Sequence, residues 1–178
     1  MADPLFYYIG KGKLSWTPTG GVKRDLGNVP ELEFTPELET LPHYSSRTGS
    51  RTKDREVVVA KGGTIRIVME EFTAANIAMM VMGTVSADTL SGGDAIDVFA
   101  VTEITGQIDF ESTNDVGPKI DMTLYNVSFK PGASLSLISE EWGGMELSGE
   151  TLVAPDSHPT APGKVGKMIV VKPEGAIE

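Results

Sequence analysis

The sequence predicts a mainly β chain: a β-sandwich or β-barrel core with one short flanking α-helix, at about residues 73–82, and a long basic loop. Three observations carry this. Short runs of β-branched and aromatic residues recur between Gly, Pro, Asn and Asp clusters, which is the pattern of strands and turns. Apolar residues make up 40% of the 178, with 20 Gly and 11 Pro, enough for a real core in a turn-rich chain. Only one stretch, Phe72–Met82, repeats its apolar residues at helical spacing.

The elements follow in order. Phe6–Ile9 and Lys13–Trp16 read as strands around a Gly10–Gly12 turn, and Thr19-Gly20-Gly21 reads as a further turn. Glu31–Thr35 alternates acid and apolar residues, and Pro36 after it marks a bulge or a sheet edge. Arg55–Ala60 and Thr64–Glu71 read as a hairpin about Gly62-Gly63, with Ile65, Ile67 and Met69 on one face. Thr73 is a favourable helix N-cap, and Phe72 is placed to staple onto Ile77. Ala74, Ile77, Ala78, Val81 and Met82 form the apolar stripe, and Gly83 is placed to close the C-terminus. Met79, Met80 and Met82 are expected as adaptable core filler.

After the helix, Ala95–Ile104, Gln107–Glu111, Lys119–Phe129, Ser134–Ile138 and Met145–Val153 are the candidate strands. Ile120, Met122 and Leu124 alternate cleanly, and then Val127 and Phe129 take over the apolar phase, so a bulge is expected near Tyr125-Asn126. Residues 1–178 are read as one domain: a main β core over 5–153, a Pro-rich connection over 154–166 and a terminal strand over 167–172. The ends, Met1–Pro4 and Gly175–Glu178, are expected to be loose.

Composition narrows the chemistry. Without cysteine there are no disulfides, thiolate metal sites or cysteine nucleophiles. No apolar run approaches a membrane span, and the start lacks the basic-then-apolar order of a signal peptide. The net charge of −10 is unevenly placed. Residues 1–70 carry ten Lys/Arg against nine Asp/Glu, a net of +1, while residues 71–178 carry five against sixteen, a net of −11. Phosphate binding depends on Lys and Arg, so such a chain is poorly suited to gripping DNA.

No catalytic constellation emerges, and no metal or cofactor is expected. His43 and His158 stand in separate turn-like segments, with no clustered ligands and no nucleophile elbow. Ser50–Lys53 matches S-x-x-K only inside a charged loop, and Gly10–Lys13 is too short to cradle a phosphate. Asp88, Asp94 and Asp97 flank a glycine turn, but their spacing does not fit a calcium loop, so a solvated turn is the reading.

Two features stand out instead. The loop Pro42–Arg55 holds His43, Tyr44, Arg47, Arg51, Lys53 and Arg55 against Asp54 alone. It reads as a solvated hairpin tip, as a nucleic-acid arm, or as a contact to the acidic surface of a neighbouring copy. The second feature is a set of acids at strand period: Asp109, Glu111, Asp121, Glu146 and Glu150. They imply a sheet with one apolar and one acidic face, facing bulk water or a water-filled channel.

The order of parts resembles the tail tube, or major tail, proteins of long-tailed bacterial viruses. The matching stretches are YYIGKGKLSW, GNVPELEFTPELETLPHYSSRTGSRTKDREVVV, RIVMEEFTAANIAMMVMG and LYNVSFKPGASLSLISEEWGGMELSGETLV. The HYSS segment before the basic loop and the helix segment are the more specific pieces. The resemblance implies a non-enzymatic virion protein, assembled in the host bacterial cytoplasm, whose hexameric rings stack into a tube with an acidic lumen. It implies as partners other copies of the chain, tape-measure and terminator or tip proteins, and DNA in passage, with no membrane binding. Under it, Pro42–Arg55 is the contact to the adjacent ring, which tips the reading of that loop, and the five acids are lumen candidates by periodicity. A terminator or joining protein is the nearest alternative. A β-sandwich binding module for glycan or protein is another, but Trp16, Trp142, Tyr44 and Tyr125 are scattered along the chain.

Overall fold

The computed structural model describes residues 3–47, 49–132 and 134–175. It is mainly β, 49% strand and 6% helix, with a large antiparallel sheet and one short helix. The chain runs through a 3₁₀ turn (Pro4–Phe6), β1 (Gly12–Pro18), β2 (Arg24–Asp25), β3 (Glu31–Ser45), β4 (Thr52–Met69), α1 (Ala74–Met80), β5 (Thr84–Ala87), β6 (Asp94–Asp97), β7 (Ile104–Ser112), β8 (Lys119–Phe129), β9 (Met145–Thr151) and β10 (Gly166–Val171). The large sheet has the order β2-β1-β7-β8-β9-β4-β3, with β10 paired to β8, and β5 and β6 form a separate hairpin.

Alternation along each strand builds the core. Leu14 and Trp16 of β1, Ile65, Ile67 and Met69 of β4, Ile108 of β7, and Met145 and Leu147 of β9 all point inward. Strands from both halves of the sheet share this one cluster, so the sheet curls over itself in a sandwich-like layer packing. Trp16 meets Phe129 edge-on, with ring centroids 5.0 Å apart. Gly106 is required beside them, because a side chain there would strike the Thr17 carbonyl and the Trp16 ring.

The central strand β8 spans the stretch expected from sequence, and its bulge lies where the apolar phase changes. Gly106 pairs with Val127 and Ile108 with Leu124, so Gln107 faces two residues, Tyr125 and Asn126. Met122 and Leu124 before the bulge and Val127 and Phe129 after it are therefore all buried. The same side of β8 serves two strands: Lys119–Leu124 pair with β10 and Val127–Phe129 with β9.

The helix begins at its expected cap, with the Thr73 side chain accepting the Asn76 amide. Its buried residues are Asn76, Ala78, Met79 and Met80; of the expected stripe, Ala78 and Met82 are buried and Ile77 packs half-buried against the core, while Ala74 and Val81 are half-buried and the face is turned toward Asn76 and Met79–Met80. Met79, Met80 and Met82 are buried, as expected of core filler. The C-terminal end differs from expectation. Met82 takes the left-handed conformation (φ 52°), and Gly83 donates its amide to the Ala78 carbonyl at 2.7 Å. Glycine is needed at 83 for space, because a Cβ there would lie 2.6 Å from the Asp97 carbonyl.

Other elements correct the sequence reading. Phe6–Ile9 forms no strand; Phe6 ends the 3₁₀ turn, Tyr7 caps it, and Ile9 donates its amide to the Val116 carbonyl at 3.4 Å outside any ladder. Gly62-Gly63 is no turn: β4 runs straight through it, with Gly63 paired to Pro36, so one 18-residue strand replaces the expected hairpin. Ala95–Ile104 is broken after Asp97 by Phe99 at φ 56°, and Ser134–Ile138 is irregular. The hairpin strand β5 was missed. Of the expected loose ends, Met1, Ala2 and residues 176–178 lie outside the described residues, and Asp3 caps the 3₁₀ turn.

Asn76 ties these parts together. It is 1% exposed, donates to the carbonyls of Leu26 (3.0 Å) and Glu71 (2.9 Å), and accepts from Arg24 Nη1 at 2.6 Å. Half-burial pushes the Arg24 guanidinium below its ordinary pKa, which marks the desolvation that Asn76 offsets. Replacing Asn76 removes the side-chain partner of the buried Leu26 carbonyl and of Arg24 Nη1, while the Glu71 carbonyl keeps the Thr73 amide and Arg24 Nη2 keeps Met79 Sδ. The substitution Asn76→Ala is expected to lower the unfolding free energy by about 2–3 kcal/mol, read from the urea midpoint. An unchanged midpoint would refute this role.

Candidate functional site

The basic segment is not a loop. Pro42–Ser45 and Thr52–Arg55 are the distal ends of β3 and β4, joined by a tip over 46–51. On its other side β4 pairs with β9 only from Thr64 to Met69. Beyond that point β3 and β4 continue alone as a two-stranded ribbon whose residues are almost all exposed. Nine residues of β3, Glu37–Ser45, reach about 30 Å at the usual rise per residue. The arm carries Leu38, Leu41, Val57, Val58 and Val59 to solvent. Two register shifts twist it, one between Glu39 and Thr40 and one between His43 and Tyr44.

At the distal half, the bulged Asp54 carboxylate receives His43 Nδ1 at 2.6 Å, so that nitrogen carries the proton. Lys53 pairs with Glu56 at 2.7 Å, and Thr40 donates to the same carboxylate at 2.8 Å. These two contacts, Lys53 first, hold the Glu56 carboxyl below its usual range. Because Lys53 is engaged, the Ser50–Lys53 match holds no free base. The Arg51 guanidinium lies 5.6 Å over the Tyr44 ring. Arg47 and Arg55 make no ion pair among the described residues. The sequence-predicted six residues are thus brought together on one projecting ribbon, and its cationic tip faces outward.

At the base of the arm, the outer sheet face carries an ion cluster that the sequence reading missed. Cross-strand pairing sets Glu33 beside Arg66, and Glu31 and Glu146, on either side of Val68, two residues further along on the same face. Arg66 Nη1 lies 2.8 Å from Glu31 and 3.5 Å from Glu33, and Nη2 lies 2.9 Å from Glu146. The Glu146 bond, then Glu31, raises the Arg66 pKa, and Arg66 in turn holds Glu146 below the usual glutamate range. Alternation alone put these residues on one face; only the β3–β4–β9 register reveals that they meet.

The five candidate lumen acids all lie on outward strand positions, but they are not alike. Glu146 belongs to Arg66, and Glu150 pairs with Lys130. Asp109 is 18% exposed and accepts from Gln107 Nε2 at 2.9 Å and Thr123 Oγ1 at 3.0 Å, with Lys23 at 3.3 Å. Gln107 is held in turn by His158, whose Nδ1 accepts the Ala161 amide at 3.1 Å. The other histidine thus latches the Pro-rich connection onto the sheet. Asp121 accepts the Ser112 amide at 2.9 Å, and Glu111 is exposed across from Lys13.

The aspartates around the glycine turn serve the turn itself. Ser91 Oγ and the amides of Leu90 and Ser91 donate to Asp88, pulling its carboxyl below the usual range. Asp94 and Asp97 stand at opposite ends of β6. Among the described residues, no three His, Asp or Glu side chains group to hold a metal, and no helix is long and apolar enough to cross a membrane.

Fold and site together define a mainly β protein with a sandwich-like body and a projecting, basic-tipped β arm. Residues 7–92, just under half of the chain, match a family model described as protein of unknown function UCP028589. The matched span holds β1 to β5, including the whole arm and the helix. No curated protein matches the chain.

Two outcomes are expected. Asp109→Lys sets two lysines together and strands Gln107 and Thr123, so it should lower stability by about 2 kcal/mol, while Glu111→Gln, at an exposed position, stays within about 0.5 kcal/mol. Paired thermal melts decide this, and equal losses would refute it. Glu146 has a depressed folded pKa, so its contribution is complete above the ordinary carboxylate pKa and is lost as pH falls through the lower, folded value. Arg66→Gln should therefore melt lower than wild type at pH 7, with the gap closing below the ordinary glutamate range. A gap independent of pH would contradict the cluster's role.

Proposed function

We propose that this chain is a structural virion protein, the repeating subunit of a tail tube, whose hexameric rings stack into a conduit for viral DNA. The observation that carries the reading is the arm. An isolated two-stranded ribbon is marginally stable in water, and this one also exposes leucines and valines. Such a segment gains its stability from a partner surface. Its cationic tip and the −10 net charge of the chain make another copy an electrostatically complementary partner.

The resemblance to tail tube proteins over most of the sequence supports the same reading. The outer sheet face supplies a wall for DNA passage that repels phosphate instead of binding it. Glu111 and Asp121 are the strongest contributors there, because Glu146, Glu150 and Asp109 each have a basic partner. A glycan-binding module would gather its aromatics. Here Trp16 is in the core, Tyr44 is on the arm, Tyr125 packs on His158 and Trp142 stands apart on a loop.

Negative-stain electron microscopy of the concentrated protein, with light scattering on the same sample, tests the reading. Rings or tubes with a central hole are expected. Arg47→Glu combined with Arg51→Glu is expected to leave the monomer folded by circular dichroism and to abolish tube elongation. Tubes of normal length from that variant would exclude the arm tip as the contact.

A further inference from the structure

The Pro-rich connection between β9 and β10 has few backbone donors of its own, with prolines at 155, 159 and 162. Among the described residues, His158 is the only side chain in it that hydrogen-bonds to the sheet. A chain of hydrogen bonds fixes which of its ring nitrogens carries the proton. Both carboxylate oxygens of Asp109 accept from Gln107 Nε2, at 2.9 and 3.0 Å, which turns Gln107 Oε1 toward His158. An amide oxygen only accepts, so His158 Nε2, 3.3 Å away, is the protonated nitrogen. Nδ1 is therefore bare. It accepts the Ala161 amide at 3.1 Å and the Thr160 amide at 3.4 Å. His43 has the opposite tautomer, with its proton on Nδ1.

The Ala161 amide depends on that bare nitrogen. Ala161 is 1% exposed, and its N–H has no other hydrogen-bond partner among the described residues. Losing the ring as acceptor leaves a buried donor unpaired. Protonation has this effect. A charged imidazole is a donor at both nitrogens, so no rotation of the ring restores an acceptor.

Other titratable groups surround the ring without replacing that contact. On β7, Asp109 reaches it only through Gln107, and Lys23 lies 3.3 Å from the same carboxylate. Glu103 lines the same pocket, and on β8 the Tyr125 ring meets the imidazole edge-on at 5.1 Å. Within the connection, Asp156 and Lys164 are exposed. Among the described residues, none of these hydrogen-bonds to Nδ1.

We infer that His158 is a proton-sensitive clasp. Neutral, it folds residues 158–161 against the sheet; protonated, it releases that turn and loosens the connection that leads into β10. The released turn binds one proton more than the clasped one, so falling pH drives release. Imidazole in ordinary surroundings titrates at about pH 6.5, which sets the change in mild acid. The clasp works within a single copy of the chain and is independent of how copies assemble.

Hydrogen exchange of the full chain, read by NMR at pH 7.5 and 5.5 and corrected for intrinsic rates, tests this. Both conditions lie above the isoelectric point of about 4.7. Protection of the Thr160 and Ala161 amides should fall about tenfold at the lower pH, the ratio of charged to neutral imidazole one pH unit below its ordinary midpoint. The protected amides of the β7–β8 ladder should keep their values. Asparagine offers a carbonyl oxygen to the amides two and three residues on, and it does not titrate. His158→Asn should therefore hold the turn equally at both pH values. Unchanged protection in the wild type overturns the clasp, as does an equal tenfold loss in His158→Asn. Ring-nitrogen NMR of the wild type at pH 7.5 gives a check that needs no variant. His158 should carry its proton on Nε2 and His43 on Nδ1, and a proton on His158 Nδ1 overturns the proposal.

Discussion

The one-residue bulge in β8 is the constraint on which the rest of the sheet depends. A strand can bury one alternating set of side chains, and a long strand crossing a curled core drifts out of phase with it. The extra residue at Tyr125-Asn126 resets that phase, so both halves of β8 present large side chains inward. It also separates the part of β8 that receives β10 from the part that receives β9. β9 in turn carries β4, so the strand that forms one side of the arm is joined to β8 through the short stretch after the bulge.

Much of this was legible in the residues. Periodicity is local, and so the bulge, the β8 boundaries, the Thr73 cap and the methionine packing could be read directly. What failed was tertiary in origin. Gly62-Gly63 has the composition of a turn, but the Phe34 ring and the Thr35 carbonyl on the neighbouring strand crowd Gly63, so glycine is there to allow close approach. Phe6–Ile9 has strand composition and no strand partner among the described residues. The arm was recognisable as a concentrated basic segment. Its extent was not, because exposed strand residues with mixed charge give no clean alternation. The acids lie on outward strand positions, as alternation implies, but which of them are ion-paired depends on pairing between strands distant in sequence, as with Glu146 and Arg66.

Electrostatics therefore act at two scales. Close to the body, Arg66, Lys23 and Lys130 consume individual carboxylates and fix side chains in place. Such partly exposed pairs contribute little to stability singly, and their value lies in orientation. Over the whole molecule the unpaired excess of acid persists, set against one cationic projection. This polarity biases how two copies approach before any surface is buried.

The order in which the chain is made gives the sheet topology a further meaning. β3 and β4 are neighbours in sequence, and Ser45 pairs with Thr52 across a short tip. β1, in contrast, pairs with β7, joining Gly12 to Ser112. At a synthesis rate of roughly 10 residues per second, the first core strand waits about 10 s for its partner, while the arm can zip as soon as it emerges. On the ribosome, both strands of the projecting hairpin are therefore available to pair before the body that will hold them, while Leu14 and Trp16 wait for β7.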